Sequence, residues 1–158
     1  MFGNLIFRLM NEDYANAIAN WHYEGVYVFY DMDQDTEDLA ELLDPRSWPD
    51  KYYAVVNECE ELIGFFSFYQ EETGAVTVGL GLRPDHTGKG LGQAFVEAGL
   101  EFAREKYNPT MFCLSVATFN QRAIRVYERA GFQAGQVFMH ETNGGQYEFL
   151  RMVRNGEQ

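Results

Sequence analysis

The segment His86-Thr87-Gly88-Lys89-Gly90-Leu91-Gly92 places three glycines at every second position, directly before a run with helical periodicity. Glycine weakens a helix start unless the backbone must turn sharply or something must approach it closely. Upstream lies an apolar run, Ala75 to Leu82, that Pro84 ends. A strand, a glycine-rich turn and a helix bring several main-chain N–H groups and the positive end of a helix dipole to one point, which suits a phosphate group. Two nucleotide-binding spacings are excluded. A P-loop needs Gly, four residues, Gly-Lys and then Ser or Thr, but Gly88-Lys89 is followed by Gly90 and the position five before Gly88 is Arg83. A dinucleotide fingerprint needs Gly-x-Gly-x-x-Gly, whereas the spacing here is Gly-x-Gly-x-Gly.

The rest of the chain frames this turn. Asn4 to Met10 alternates as a strand, and Asn11 caps a helical pattern through Trp21. An aromatic and acidic segment, Tyr23 to Asp35, precedes a short helix opened by Thr36 and closed by Asp44-Pro45 and Trp48-Pro49. Lys51 to Asn57 and Leu62 to Gln70 read as a hairpin. In the next strand, Ala75 to Leu82, Gly79 and Gly81 suggest a bulge or the close approach of another backbone. From Lys89 to Tyr107 the apolar residues Leu91, Phe95, Ala98 and Phe102 predict an amphipathic helix. Met111 to Ala117 is a strand and Asn120 to Ala130 a helix with Gly131 at its C-cap. Phe132 to His140 and Gln146 to Val153 form a last pair of strands around Asn143-Gly144-Gly145. The strand-helix-strand unit from Ala75 to Ala117 implies one parallel pair in an otherwise hairpin-built sheet.

At 158 residues, one domain spanning 1–158 is the simplest expectation. No apolar run reaches the roughly 18 to 20 residues that cross a bilayer, so no membrane partner is expected. The N-terminus lacks a secretory pattern, and Cys59 and Cys113 each sit in an apolar run, which predicts buried reduced thiols and a cytoplasmic location. A net charge of -12 argues against nucleic acid. Residues 1–75 hold 16 acids against 3 Lys/Arg, and residues 76–158 hold 8 against 9. An anionic ligand therefore suits the second half and a cationic one the first, unless the acidity serves solubility alone.

Leu82-Arg83-Pro84-Asp85-His86-Thr87-Gly88-Lys89-Gly90-Leu91-Gly92 resembles the acetyl-CoA pyrophosphate loop of the GNAT family of N-acetyltransferases. A second block, Asn120 through Tyr127 to Gly131-Phe132, resembles that family's later motif, and the two blocks stand in the family's order and distance. The resemblance implies an α/β (α+β) fold: a mixed, mostly antiparallel sheet of about seven strands, flanked by about four helices, with one splayed parallel pair. It implies transfer of an acetyl group from acetyl-CoA to a primary amine, by direct attack in a ternary complex. Gly81, Leu82, Thr87, Gly88, Lys89, Gly90, Leu91, Gly92 and Asn120 are the implied coenzyme-binding positions. Thr87 stands where the family usually has Gln or Arg, so a long donor is missing and Arg83 or Lys89 would supply the charge.

By the same resemblance Tyr127 is the general acid. A phenol ordinarily ionises near pH 10 and can protonate a departing thiolate; the alternative is that Tyr127 only packs with Ala123, Ile124 and Ala130. Asn120 caps its helix, contacts the coenzyme, or both. No base stands out: Thr77 occupies the position where some members carry Glu, which leaves Glu24, Asp31, Glu71 or Glu72 acting through water, or an already neutral amine. The acceptor side is expected at the segment 21–31, with Trp21, Tyr27, Tyr30 and Asp31 as substrate-binding residues, because carboxylates among aromatic faces suit a cationic amine. His22, His86 and His140 lack metal-ligand spacing, so no metal is expected. The acceptor is a small-molecule or peptide amine, and a homodimer through the Tyr-, Phe- and Met-rich final strands is consistent with the family's habits. Two rivals stay open: a non-catalytic acyl-CoA-binding or regulatory module, and a nucleotide-binding protein.

Overall fold

A computed structural model of the chain describes residues 4–157. Its elements run β1 (Ile6–Leu9), α1 (Glu12–Ala19), two 3-10 turns (Gly25–Tyr30 and Met32–Gln34), α2 (Thr36–Leu42), a 3-10 turn (Pro45–Ser47), β2 (Tyr52–Val56), β3 (Leu62–Gln70), β4 (Val76–Leu82), a 3-10 turn (Pro84–His86), α3 (Gly92–Tyr107), β5 (Met111–Ala117), α4 (Gln121–Arg129), β6 (Gln133–Thr142) and β7 (Gly145–Asn155). The strands form a seven-stranded sheet in the order β1-β2-β3-β4-β5-β7-β6. β1 with β2, β2 with β3, and β5 with β7 are antiparallel; β4 with β5 is parallel. This is the mixed sheet with one parallel pair that the element order predicts. None of the described helices is long and apolar enough to cross a membrane.

The chain divides into two compact units. The first holds the residues up to Ser67 with Leu80–Thr87 and Glu141–Gln146; the second holds Phe68–Gly79, Gly88–His140 and the chain from Tyr147 onward. In the first unit, Ile18 of α1, Leu42 of α2 and Ala54 of β2 are fully buried beside Met10, Ala15 and Tyr52. Burying a side chain such as Leu42 contributes about 1.5–3 kcal/mol. Local signals set the helix starts: Asn11 Oδ1 accepts from Tyr14 N at 2.8 Å, and Asp35 Oδ1 accepts from Glu37 N and Asp38 N at 3.0 and 3.1 Å. Behind α2, Lys51 and Tyr52 both donate to Glu41 Oε1, at 2.6 and 2.5 Å.

In the second unit, α3 buries Phe95, Val96, Leu100 and Ala103, and the ring of Phe68 stacks on Phe102 at 6.1 Å. Asn108, at φ 49, closes α3 in the left-handed region, with its N–H on Arg104 O. β6 forms one edge of the sheet, opposite β1, and is exposed over nearly its whole length.

Three expectations change. α3 begins at Gly92 and not Lys89, because Gly88 and Gly90 take φ values of +71 and +75, which a helix cannot hold. At Gly81 the close neighbour is the ring of Phe65, not a second backbone. Both cysteines are free, but only Cys113 is buried. Asn57 Oδ1 accepts from Cys59 N and Glu61 N, at 2.9 and 3.0 Å, and this turn carries Cys59 outward.

Candidate functional site

The parallel ladder between β4 and β5 pairs Val76 with Phe112 and Thr77 with Cys113, and stops there, well before β4 itself ends at Leu82. β5, by contrast, stays paired with β7 as far as Ala117. The last residues of β4 thus leave the ladder, and the turn toward α3 follows them.

Within that turn Thr87 is half-buried, and its hydroxyl donates to Pro84 O at 2.7 Å, so it closes the 3-10 turn. Arg83 is fully engaged: Nε and Nη2 reach Asp85 at 2.7 and 3.2 Å, Nη1 donates to Leu62 O at 2.9 Å, and Nη2 meets His86 Nε2 at 2.8 Å. The first of these bonds holds the Asp85 carboxyl below its usual range. Arg83 is therefore a strut of the turn and not the spare cation expected from its position.

The three glycines do different things. A Cβ on Gly88 would stand 3.1 Å from Arg122 Nη1, and one on Gly92 would stand 3.2 Å from Val126 Cγ2. Arg122 and Val126 lie one turn apart on α4 and so share a face. Two of the glycines hence make room for α4, while Gly90 has nothing within 4 Å of its Cβ position and leaves the loop open. Beyond the loop, the N-cap of α3 is Leu91, which supplies no side-chain cap, and the helix has no acid in its first turn. α1, α2 and α4 all carry a capping Asn or Asp. The first N–H groups of α3 keep their donors for an outside acceptor. This cradle, with its open glycine and uncapped donors, fits a phosphate.

On α4, Asn120 is buried and its Oδ1 accepts from Ala123 N at 3.1 Å, as the cap expected there. Tyr127 is half-buried and meets Phe132 edge-on at 6.1 Å. Its ring packs on the residue that follows Gly131, which takes a positive φ of 96 one position past the actual C-cap, Ala130.

The segment expected on the acceptor side folds around one buried carboxylate. Asp31 is 5% exposed; its Oδ2 meets His22 Nδ1 at 2.9 Å and its Oδ1 accepts from Tyr23 N at 2.7 Å. Both oxygens are thus engaged, and the imidazole of His22 beside them is exposed. The hydrogen bond to Asp31 raises the His22 pKa above its ordinary value. The Tyr23 hydroxyl donates to Leu82 O at 2.8 Å, and burial, then the Asp31 charge, push that phenol far up. Leu82 is thereby tied to the acceptor-side segment through its carbonyl. Trp21 turns toward the core, 6.4 Å from the Phe65 ring. Tyr27 and Tyr30 are half-buried on the 3-10 turn, while Val26 and Val28 are exposed there at 66% and 46%.

The hairpin tip between β6 and β7 holds this segment from a distant part of the sequence. Asn143 Nδ2 donates to Phe29 O at 2.8 Å, and Thr142 Oγ1 donates to Asp35 Oδ2 at 2.5 Å. Sequence reasoning put His22 and Tyr23 inside the expected segment 21–31 without giving them a role, and it did not single out Thr142, Asn143 or Arg122. Only His22 carried a signal, a titratable ring beside an aromatic and acidic stretch.

The truncated parallel ladder, followed by an open glycine turn and an uncapped helix, defines a GNAT-type fold. The chain belongs to the GNAT acetyltransferase family: the family model described as an acetyltransferase (GNAT) domain matches residues 4–133. It is similar to the mycothiol acetyltransferase of Streptomyces coelicolor, 42% identical over 132 residues that make up 82% of this chain and 39% of that protein. The mycothiol acetyltransferase of Saccharopolyspora erythraea is 35% identical over 101 residues, 61% of this chain and 33% of that protein. The chain thus spans about two fifths of the length of its Streptomyces relative or less. Among solved structures it shares the fold of a Vibrio cholerae spermidine N-acetyltransferase in complex with CoA and spermine, with a TM-score of 0.74 at 21% identity, covering 96% of this chain and 95% of that one. A GNAT-family acetyltransferase from Bacillus anthracis gives a TM-score of 0.77 at 15% identity, covering 100% and 98%.

Proposed function

We propose that this chain is a cytoplasmic N-acetyltransferase that moves an acetyl group from acetyl-CoA to a primary amine on a small molecule or peptide, in a ternary complex. The observation that carries this reading is the loop at Gly90: an open positive-φ glycine leading into a long helix that begins without a cap. Acetyl-CoA supplies an activated thioester. The main-chain N–H groups at the start of α3 bind its phosphates, and the end of β4 around Gly81 and Leu82 orients its pantetheine arm. Asn120 fixes the start of α4, and the Tyr127 hydroxyl gives a proton to the departing thiolate.

On the acceptor side the acidic first half attracts an ammonium group. His22, held by Asp31, takes the proton that the amine must lose before attack. A homodimer through the final strands is part of this reading, because the edge strand β6 exposes Val137 at 56% and Met139 at 59%.

Isothermal titration with acetyl-CoA and with ATP, followed by a free-thiol release assay over a panel of amines, tests the proposal. Saturable acetyl-CoA binding and amine-dependent thiol release are expected. Acetyl-CoA binding without release on any amine would favour the non-catalytic module, and ATP binding alone would sink both.

A further inference from the structure

The two chain neighbours of His22 both reach the end of β4. Trp21 packs toward the Phe65 ring at 6.4 Å, and that ring occupies the space where a Cβ on Gly81 would stand. Tyr23 reaches the next residue directly, its hydroxyl donating to Leu82 O at 2.8 Å across 59 residues of sequence. We propose that Tyr23, with Trp21, is a positioning residue: the two contacts hold the His22 imidazole at a set place beside the end of β4. This rests on His22 acting as the base of the acetyl transfer.

Asp31 supplies a different hold. Its Oδ2 meets His22 Nδ1 and its Oδ1 accepts from Tyr23 N, so the buried carboxylate sets the direction of the imidazole ring. The contacts of Trp21 and Tyr23 set its distance from β4. The strand end that they grip is itself anchored to β3, since Arg83 N donates to Ile63 O at 2.8 Å and Arg83 Nη1 to Leu62 O at 2.9 Å. Neither of the 3-10 turns that follow Tyr23 buries a residue, so this part of the chain takes its place largely from a few polar bonds. Burial and the Asp31 charge keep the Tyr23 phenol protonated, and hence a donor, throughout the range in which an imidazole titrates.

The test is a double-mutant cycle of Tyr23→Phe and His22→Gln, measured as thiol release from acetyl-CoA with the fastest amine of the panel. Tyr23→Phe keeps the ring and the main-chain bond to Asp31 and removes only the hold on Leu82. Its kcat should fall about tenfold, because a misplacement of about 1 Å can cost up to about a hundredfold. The acid limb of kcat/KM should stay at its wild-type pH. In the His22→Gln background the same change should cost less than about twofold, since no imidazole remains to be placed. Equal losses in both backgrounds, or no loss in wild type, overturn the positioning role and leave the His22 reading intact. A shifted acid limb would mean that Tyr23 acts on the charge of the His22–Asp31 pair and would likewise refute positioning. A His22→Gln variant as active as wild type, or no thiol release by wild type on any amine, overturns both. Should Tyr23→Phe fail to fold, Trp21→Phe decides from the other side of His22: a severalfold loss that vanishes in His22→Gln is expected, and a loss that persists there refutes the proposal.

Discussion

His22 Nδ1 lies 2.9 Å from Asp31 Oδ2, with the imidazole 65% exposed and the carboxylate side chain only 4% exposed. A buried acid thus holds one ring nitrogen and leaves the other to solvent. Because Asp31 raises the His22 pKa, the neutral form needed of a base appears only above the ordinary imidazole value of about 6.5. The acid limb of kcat/KM should therefore lie above pH 6.5, move lower in Asp31→Asn and disappear in His22→Gln. A profile unchanged in both variants removes His22 from proton transfer. Stability follows the opposite sense: a raised folded pKa contributes stability that is complete below about pH 6.5 and is lost as pH rises through the folded value. Thermal midpoints of wild type and His22→Gln should accordingly converge at alkaline pH.

Tyr127→Phe should lower kcat by about a hundredfold, the lower end of what a general acid contributes, while acetyl-CoA affinity stays within twofold. The ring contact with Phe132 survives the substitution, so folding is spared. Equal turnover in the two proteins would reduce Tyr127 to a packing residue.

Gly90→Ala and Gly144→Ala form a matched pair, because both glycines have positive φ, +75 and +76, and open space at the Cβ position. Each should cost about 1–2 kcal/mol in stability from left-handed strain. Only Gly90→Ala should also weaken acetyl-CoA binding, since Gly144 lies in the hairpin turn. Titration of both variants checks this, and equal affinities would mean that the loop does not cradle the coenzyme.

Thr142→Val removes the hydroxyl that holds Asp35 Oδ2, which is the first cause of the lowered Asp35 pKa. A depressed carboxylate contributes stability that is present above its unfolded value and lost as pH falls through the folded one. The variant should be about 1 kcal/mol less stable at pH 7, and the difference should vanish in acid below the usual aspartate range. Denaturant midpoints at pH 7 and pH 3 measure it. With its acceptor-side segment loosened, the variant should also show a raised KM for the amine and an unchanged affinity for acetyl-CoA.

Val137→Lys places a charge on the exposed edge strand β6. If the final strands pair two copies, sedimentation should show a dimer in wild type and a monomer in the variant. A wild-type monomer would end the homodimer reading.

What the chain discloses in advance depends on whether the cause is local. The caps at Asn11 and Asn120, the end of α3 before Pro109 and the turn at Asn143-Gly144 are decided within a few residues, and all stand where the pattern puts them. The acceptor side is less legible, because Asp31 and His22 are nine residues apart and no helical or strand period relates them. The bonds from Thr142 and Asn143 span 107 and 114 residues, and only the folded chain reveals them. Trp21 and Asp31 were expected to face a ligand from their composition, yet one packs inward and the other has both oxygens occupied. Spacing can place a glycine, but not the neighbour it makes room for.

Gly88 and Gly92 act as sockets for Arg122 and Val126. The loop and the helix more than thirty residues later are therefore one transplantable part. A chimera that exchanges only the 86–92 segment for a bulkier counterpart would collide with the resident α4, whereas one that carries 120–127 along would bring its own fitting plug. Variation at position 92 should likewise be compensated by variation at 126, larger against smaller.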